Sequence, residues 1–247
     1  RHWGLKFGHL KCMYVAIFVS IVSYAASVWN GKFSGVVRLA LLRGQRAPLL
    51  LLTRSYRTTS NSALPVVAGV LPLDLQVQMR AAGYCFRKNR ELIVGDVPIR
   101  RGEDETFEVF KKRALEKAMD VWQERWDVAV TGRHTYSFFP DIRQRLSYTW
   151  IVPDHFVSQY LTGHGAFAAK LTKLGLRNDP HCACGEIQDP DHILWSCSLA
   201  DNERKDMFSG FPDRLPTSNI DLVSSKFAFR AFCTFAKRVS SRKDIFR

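Results

Sequence analysis

The segment "HCACGEIQDPDHILWSC", residues 181–197, places three cysteines and two histidines within seventeen positions. Cys182 and Cys184 form one close pair of metal-ligand side chains, and His192 and Cys197 form a second pair. Zinc prefers four tetrahedral thiolate or imidazole ligands. The residues between the pairs, "GEIQDPD", are polar and turn-forming, as a chain reversal requires. The segment therefore predicts a small, closed zinc knuckle with these four residues as ligands.

Other interpretations of this segment remain open. The thiols can be inert neighbours of a surface histidine, because Cys-x-Cys is a rarer zinc spacing than Cys-x-x-Cys. His181 can also compete as a ligand. A redox pair of Cys182 and Cys184 is disfavoured, because its ring would be strained and no βαβ pattern surrounds it. If all four positions bind zinc, the site is structural, with no position left for an activated water.

Outside this segment, the charge distribution carries the strongest signal. The 247-residue chain has a net charge of +13. Residues 1–100 hold fourteen Lys and Arg against three acidic residues, a balance of +11, whereas residues 101–200 balance at −2 and residues 201–247 at +4. Such a basic block indicates a polyanion partner, either nucleic acid or an anionic membrane surface. The alternative is a surplus that serves solubility alone. Residues 1–11 lead into no signal-peptide cleavage site, and the missing initiator Met suggests a piece of a longer chain.

The uncharged segment 12–29 predicts a buried helix, with a strand pair as the alternative. Eighteen helical residues span roughly 27 Å, which is borderline for a bilayer. Positive residues on both sides and the soluble composition argue against a membrane span. Small residues at helical spacing predict close packing along one stripe, formed by Ala16, Ser20, Ser23 and Ser27.

The rest of the chain predicts a mainly α fold. Residues 33–90 suggest several short helices, punctuated at Gly44 and Pro48, with helix boundaries near Gly69 and Pro72. Further predictions follow along the chain: a linker or hairpin at 91–102, an amphipathic helix at 103–129, an irregular stretch at 130–157, two helices around a glycine break at 158–176, and a last helix at about 221–239.

Several stretches together resemble one family. "LLRGQRAPLLLLTRSYRTTSNSALPVVAGVLPLDL", residues 41–75, is similar to the segment after the polymerase palm in non-LTR (LINE-type) retrotransposon reverse transcriptases of insects. "LTGHGAFAAKLTKLGL" followed by "CACGEIQDPDHILWSC" resembles the family's glycine-histidine-glycine segment and C-terminal zinc knuckle. The type-one class that inserts into ribosomal RNA genes matches best. The positions that carry the likeness are Tyr24, Trp29, Gln45, Arg46, Tyr56, Arg57, Thr58, Ala63, Leu64, Ala68, Gly69, Pro72 and Leu73.

The resemblance implies a C-terminal fragment of a polyprotein that pairs an endonuclease with a reverse transcriptase. Its implied units are a thumb and exit segment (1–90), a helical connector (91–157), the glycine-histidine-glycine segment with its CCHC zinc knuckle (158–200), and a C-terminal helix with a basic tail (201–247). Such a parent carries out RNA-directed DNA synthesis for target-primed insertion, acts inside the cell and in the nucleus, and needs no membrane. The alternative is a stand-alone zinc-dependent nucleic-acid-binding protein derived from such an element.

The family's catalysis does not transfer to these residues. Reverse transcriptases hold Mg²⁺ with carboxylates that usually include an Asp-Asp pair, and this sequence contains none. The magnesium site would lie in a polymerase domain before residue 1, and we assign no catalytic residue. A second nuclease type begins at a Pro-Asp such as Pro212-Asp213, but Asp221 lacks the required Lys two positions later.

Element RNA, target DNA and the remainder of the polyprotein are the implied partners. Arginine forks suit phosphates, and Tyr56 can stack on a sugar or base. The alternative is a solvated helix face with one or two buried arginines that satisfy helix ends. Acidic residues inside the knuckle restrict any contact there to its flanks, including Arg204. His164 is more typical of a turn hydrogen bond than of a ligand contact. The predicted nucleic-acid contacts are Arg38, Arg43, Arg46, Arg54, Tyr56, Arg57, Lys170 and Lys173.

Overall fold

The computed structural model describes residues 5–29, 34–209, 211, 214–242 and 244–246. Helices dominate this part of the chain and confirm the mainly α class; its one sheet is a two-stranded hairpin. Pro212 and Asp213 lie outside the described residues. The numbered elements are α1 (Phe7–Met13), α2 (Ser20–Val22), α3 (Ala26–Trp29), α4 (Gly35–Thr53), α5 (Ala63–Ala68), α6 (Leu73–Arg87), β1 (Leu92–Val94), β2 (Val97–Ile99), α7 (Phe107–Asp127), α8 (Arg133–Phe138), α9 (Ile142–Ser147), α10 (His155–Thr162), α11 (Ala168–Lys173), α12 (Asp201–Phe208) and α13 (Lys226–Ser240).

The buried helix predicted at residues 12–29 is confirmed only in part: the chain is helical through Val22, but one side of it is exposed. The chain there runs from α1 through a wide π-type turn, Tyr14–Val19, into the short α2 and α3. Ile21 is 70% exposed and Tyr24 is 93% exposed, because α4 and α6 cover only one side of the segment. Ala16 and Ser20 are also exposed, whereas Ser23 is buried and Ser27 half-buried, so the predicted small-residue stripe packs only in its second half. In the described part of the chain, no helix has both the length and the apolar character needed to cross a bilayer.

The interruptions predicted at Gly44 and Pro48 are also wrong, since α4 runs through both as a 19-residue helix. Proline removes one helical hydrogen bond, but burial of Leu49 and Leu52 on the same helix offsets that loss. The buried Gln45 holds α4 against the following helices. Its Nε2 donates to Tyr14 Oη at 2.7 Å, and its Oε1 accepts from the backbone N–H of Leu73 at 3.0 Å.

The elements from α5 to α7 follow the predicted pattern. α5 ends at Gly69, which has a left-handed φ of 61°, and α6 begins one residue after Pro72. Residues 91–102 contain the hairpin of β1 and β2. Its turn residue Gly95 has a φ of 66°, and an added Cβ would lie 2.9 Å from Val121. α7 buries the predicted apolar face at Phe110, Ala114, Ala118, Trp122 and Trp126.

Residues 130–157 contain α8 and α9, so the irregular stretch predicted there is wrong. Trp126 Nε1 donates to the carbonyl oxygen of Phe139 at 2.8 Å and fixes the connection between these helices. Phe138 stacks on Phe232 of α13, with ring centroids 5.8 Å apart. The last helix begins at Lys226 rather than near residue 221 and buries its predicted aromatic face. Ser158 Oγ donates to the carbonyl oxygen of Thr53 at 2.6 Å, which packs α10 against the end of α4.

Candidate metal centre and basic surface

The four predicted ligands meet at one point. The ligand atoms of Cys182, Cys184, His192 and Cys197 all lie within 4.8 Å of one another. The Sγ atoms of Cys182 and Cys197 are 3.7 Å apart, and the Sγ of Cys184 is 3.2 Å from Nε2 of His192. His181 does not belong to the group, because its Nδ1 pairs with Oδ1 of Asp179 at 2.7 Å. The geometry therefore forms a site that can hold a metal ion.

A tight turn supplies the first ligand pair. The backbone N–H of Cys182 donates to the carbonyl oxygen of Glu186 at 2.7 Å, and the N–H of Gly185 donates to the carbonyl oxygen of Cys182 at 2.9 Å. Gly185 has a φ of 99°, a conformation that glycine adopts without strain. The neighbouring residues His181 and Ile187 form an antiparallel bridge. The turn consequently directs both thiols of the Cys-x-Cys pair to the same side.

A π-type turn, His192–Ser196, supplies the second pair. The backbone N–H of Cys197 donates to the carbonyl oxygen of His192 at 2.8 Å, so one full turn covers the five-residue step between the ligands. The carboxylate of Asp189 accepts the backbone N–H of His192 at 2.7 Å and starts the turn. Nδ1 of His192 lies 3.1 Å from Oγ of Ser196, which orients the ring and leaves Nε2 facing Cys184.

Arg204 stabilises the π-type turn by hydrogen bonds to its backbone carbonyl oxygens. Its Nε donates to the carbonyl oxygen of Leu194 at 2.9 Å, and its Nη2 donates to the carbonyl oxygen of Cys197 at 2.7 Å. The residue is only 7% exposed. The sequence suggested Arg204 as a flanking nucleic-acid contact. In the structure, its guanidinium donates instead to backbone carbonyl oxygens beside the candidate ligands.

The electrostatics of the thiols differ from one ligand to the next. Burial raises the pKa of the Cys197 thiol to about 12. Burial also opposes ionisation of Cys182, but hydrogen bonds from the Cys184 backbone and side chain lower its pKa below the usual value. Metal binding must therefore displace at least the Cys197 proton, because the thiolate is the form that coordinates a metal.

The predicted arginines separate into two groups. Arg38 lies 2.8 Å from Oδ1 of Asp96 and 3.6 Å from Oδ2 of Asp74. Nη1 of Arg46 donates to the carbonyl oxygen of Thr59 at 2.8 Å, and Nη2 donates to the carbonyl oxygen of Arg57. The guanidinium groups of Arg38 and Arg46 thus hold this part of the fold together.

The other predicted cations are free to bind a partner. Within the described residues, no ion pair involves the side chains of Arg43, Arg54, Arg57, Lys170 or Lys173. All are exposed except the half-buried Lys170.

The two segments that carry these cations, far apart in the sequence, come into contact at His164. Nδ1 of His164 lies 2.8 Å from Oγ1 of Thr58, which joins the loop after α4 to the turn before α11. Burial, followed by the charges of Lys170, His134 and Arg46, lowers the pKa of His164 to about 4. We call the exposed residues Arg43, Arg54, Tyr56, Arg57 and Lys173, together with the half-buried Lys170, the basic surface.

The structure adds one residue that the sequence did not single out. The exposed ring of His155 lies against Tyr56, with ring centroids 5.4 Å apart. The two rings extend the aromatic area beside Arg54 and Arg57. No local motif marks His155, since 99 positions separate it from Tyr56 in the sequence.

Comparisons with known proteins place the chain among retrotransposon polyproteins. It is 36% identical over 239 residues to the "Retrovirus-related Pol polyprotein from type-1 retrotransposable element R1 4" of Nasonia vitripennis, covering 95% of this chain and 60% of that protein. It is 36% identical over 209 residues to the Pol polyprotein from element R1 of Bradysia coprophila, covering 83% of this chain and 21% of that protein.

A third relative is the "Putative 115 kDa protein in type-1 retrotransposable element R1DM" of Drosophila melanogaster, 32% identical over 80% of this chain and 20% of that protein. The chain thus spans between about a fifth and three fifths of the length of these relatives. No known family profile matches it, and no solved structure gives a significant match. The resemblance inferred from the sequence is confirmed: the chain belongs to the Pol polyproteins of type-1 (R1) non-LTR retrotransposable elements and corresponds to a part of such a polyprotein.

Proposed function

We propose that this chain binds nucleic acid on behalf of a retrotransposon Pol polyprotein. The observation that carries the proposal is the basic surface, in which two cationic segments meet across the Thr58–His164 contact. Arg43 lies in α4, and Arg54 directly follows the helix with a left-handed φ of 53°, eleven residues later and about 16 Å farther along the axis. That spacing suits phosphates several nucleotides apart on one strand, since a duplex strand carries one phosphate per about 3.4 Å of its axis.

The side chains of the basic surface divide the task by their chemistry. The guanidinium groups of Arg43, Arg54 and Arg57 bind phosphate oxygens in bidentate fashion. Tyr56, whose ring packs against that of His155, stacks on an exposed base or sugar. Arg38 and Arg46, also predicted as contacts, act by holding the surrounding loops in place.

Zinc is the metal that the ligand set fits best. Tetrahedral zinc with Zn–S bonds of about 2.3 Å separates two sulfurs by roughly 3.8 Å. The observed separation between Cys182 and Cys197 is 3.7 Å. Three thiolates and one imidazole complete the coordination shell, so the ion supplies a structural cross-link and no reactive water.

The parent polyprotein is the enzyme in this proposal. By its family, the parent performs RNA-directed DNA synthesis and cuts its target with an endonuclease, with Mg²⁺ bound in the polymerase domain. Element RNA and target DNA are then the nucleic acids that reach the basic surface. The residues described here contribute binding only, and none is assigned to catalysis.

The rest of the polyprotein is the proposed partner of the N-terminal helices. Apolar side chains there face outward, including Ile21 at 70% exposure, Val28 at 68% and Val36 at 78%. Clusters of exposed apolar residues mark protein contacts more often than solvent-facing surface. This face therefore suits packing against another part of the same polyprotein.

The test is the salt dependence of duplex DNA binding. Each phosphate contact contributes about 0.9 to the slope of log affinity against log salt. A variant with Arg43→Gln, Arg54→Gln and Arg57→Gln should therefore lose about 2.7 units of slope, with similar losses on unrelated sequences. The matched control replaces the exposed Lys112, Lys226 and Lys237 by Gln and should keep the wild-type slope. Equal slopes in all three folded proteins would overturn the proposal.

A further inference from the structure

We propose that the metal centre controls the basic surface indirectly, by positioning α11 through Gln188, without itself touching nucleic acid. The inference rests on the proposed function and deepens it. It assigns Gln188 as a positioning residue that links the metal ligands to Lys170 and Lys173.

Gln188 connects the knuckle to the start of α11. Its Oε1 accepts the backbone N–H of Ala168 at 2.8 Å, and its own carbonyl oxygen accepts the N–H of Ala169 at 3.1 Å. Its Nε2 donates to the carbonyl oxygen of Ile245, near the end of the chain. The side chain is fully buried, so solvent cannot replace these bonds.

α11 needs such an anchor because it is short. It contains six residues, and an isolated helix of that length is not stable in water. The first N–H groups of any helix also lack partners within the helix. Gln188 supplies the partners of Ala168 and Ala169, and so fixes the direction in which Lys170 and Lys173 leave the helix.

The position of Gln188 depends in turn on the ligand pairs, because it lies in the loop between them. Two backbone hydrogen bonds hold the loop. The N–H of Cys182 donates to the carbonyl oxygen of Glu186 at 2.7 Å, and the N–H of Gln188 donates to the carbonyl oxygen of Pro180 at 2.9 Å. A metal that joins the two pairs closes this loop. Without the metal, the loop loses its cross-link, and α11 loses its anchor.

The charge of the knuckle opposes a direct contact. Glu186 and Asp191 are exposed, and both lie in the loop between the two ligand pairs. Arg204, the nearest arginine after the knuckle, is buried and bonded to carbonyl oxygens. The knuckle therefore presents carboxylates rather than cations to a phosphate backbone.

The first experiment compares salt slopes for duplex DNA in four proteins. They are the wild type, Gln188→Met, a Lys170→Gln, Lys173→Gln variant, and the combination. Methionine keeps the side-chain volume and removes the two side-chain hydrogen bonds, to Ala168 and Ile245, while the backbone bond to Ala169 can persist. Loss of two phosphate contacts lowers the slope by about 1.8 units. We expect that loss in the Gln188→Met and the double-lysine proteins, and no further loss in the combination. Additive losses, or an unchanged Gln188→Met slope, would overturn the inference.

Two further readouts report on the anchor itself. Zinc analysis should find one ion per chain in Gln188→Met, as in the wild type. Hydrogen exchange should become faster at the Ala168 amide and stay unchanged in α7. Unchanged exchange at Ala168 would contradict the assigned role of Gln188.

Removal of the metal by a chelator tests the inference in the wild-type protein, so it does not require that the Gln188→Met protein folds. Chelation should lower the wild-type slope by about 1.8 units and leave the double-lysine variant unchanged. An equal loss in the double-lysine variant would show direct contact by the knuckle instead. A His181→Ala protein, altered at a non-ligand of the knuckle, is the control. If the arginine variant of the basic surface also binds normally, the proposed function fails; if only the Gln188 and chelation arms fail, this inference alone is lost.

Discussion

Replacing Arg46 by lysine should destabilise the protein although the charge is kept. The Arg46 guanidinium donates to the carbonyl oxygens of Thr59 and Arg57 and to Oδ1 of Asn61. A hydrogen bond to a charged group contributes about 1.5–3 kcal/mol, and partial exposure here favours the lower end. A lysine can restore one of the three bonds. The loss of two bonds lowers the free energy of unfolding by about 3 kcal/mol.

That loss converts into a measurable melting shift. For chains of 150–250 residues, 1 kcal/mol changes Tm by about 2–4 °C, so Arg46→Lys should melt about 6–12 °C below the wild type. Arg54→Lys is the matched control, since the Arg54 side chain is exposed; a surface change of this kind stays within about 0.5 kcal/mol. Thermal melts followed by circular dichroism test both. Identical Tm values for the two variants would refute the structural role of Arg46.

Three further outcomes are expected. Gln45→Ala leaves the buried Leu73 amide and the Tyr14 hydroxyl without partners, so urea denaturation should show a loss of about 3–5 kcal/mol, and a loss below about 1 kcal/mol would contradict the assigned clamp. The fold lowers the pKa of His164 to about 4, so as pH falls the unfolded chain protonates this histidine before the folded chain does. The free energy of unfolding should therefore fall as pH drops from about 6.5 toward 4, and it should fall less in His164→Gln. Parallel pH profiles of stability for the two proteins would argue against this role of His164. The chain alone should not extend a primed RNA template with deoxynucleotides and magnesium, and extension by a preparation free of other polymerases would overturn the non-catalytic assignment.

Periodicity predicted the helices whose cores are regular. In α7 and α13, aromatic and alanine residues recur at three- and four-residue spacing, and the structure buries those residues. The prediction failed where packing overrides local signals. α4 continues through Pro48 because Gln45 before that position and Leu49 and Leu52 after it are buried. Segment 12–29 has the composition of a buried helix, yet only one side of it meets other parts of the described chain.

The convergence of the four candidate ligands was predictable because they lie within sixteen residues, and ligand spacing is a local property. The roles of the individual arginines were not. Arg38 and Arg43 look alike in sequence, but of these two arginines only Arg38 is approached by Asp74 and Asp96 among the described residues. The link from Gln188 to Ala168 and Ala169 was equally hidden, since a glutamine in a polar loop carries no sign of its buried contacts.

The most direct test of the metal centre is the zinc content of purified protein. Structural zinc contributes about 10–16 kcal/mol in small zinc domains, so loss of its ligands should both empty the site and unfold the knuckle. Native mass spectrometry should find one zinc per chain in the wild type and in the non-ligand control His181→Ala. A Cys182→Ala, His192→Ala double variant should contain none. Full zinc occupancy in that double variant would contradict the assignment of Cys182, Cys184, His192 and Cys197 as the ligands.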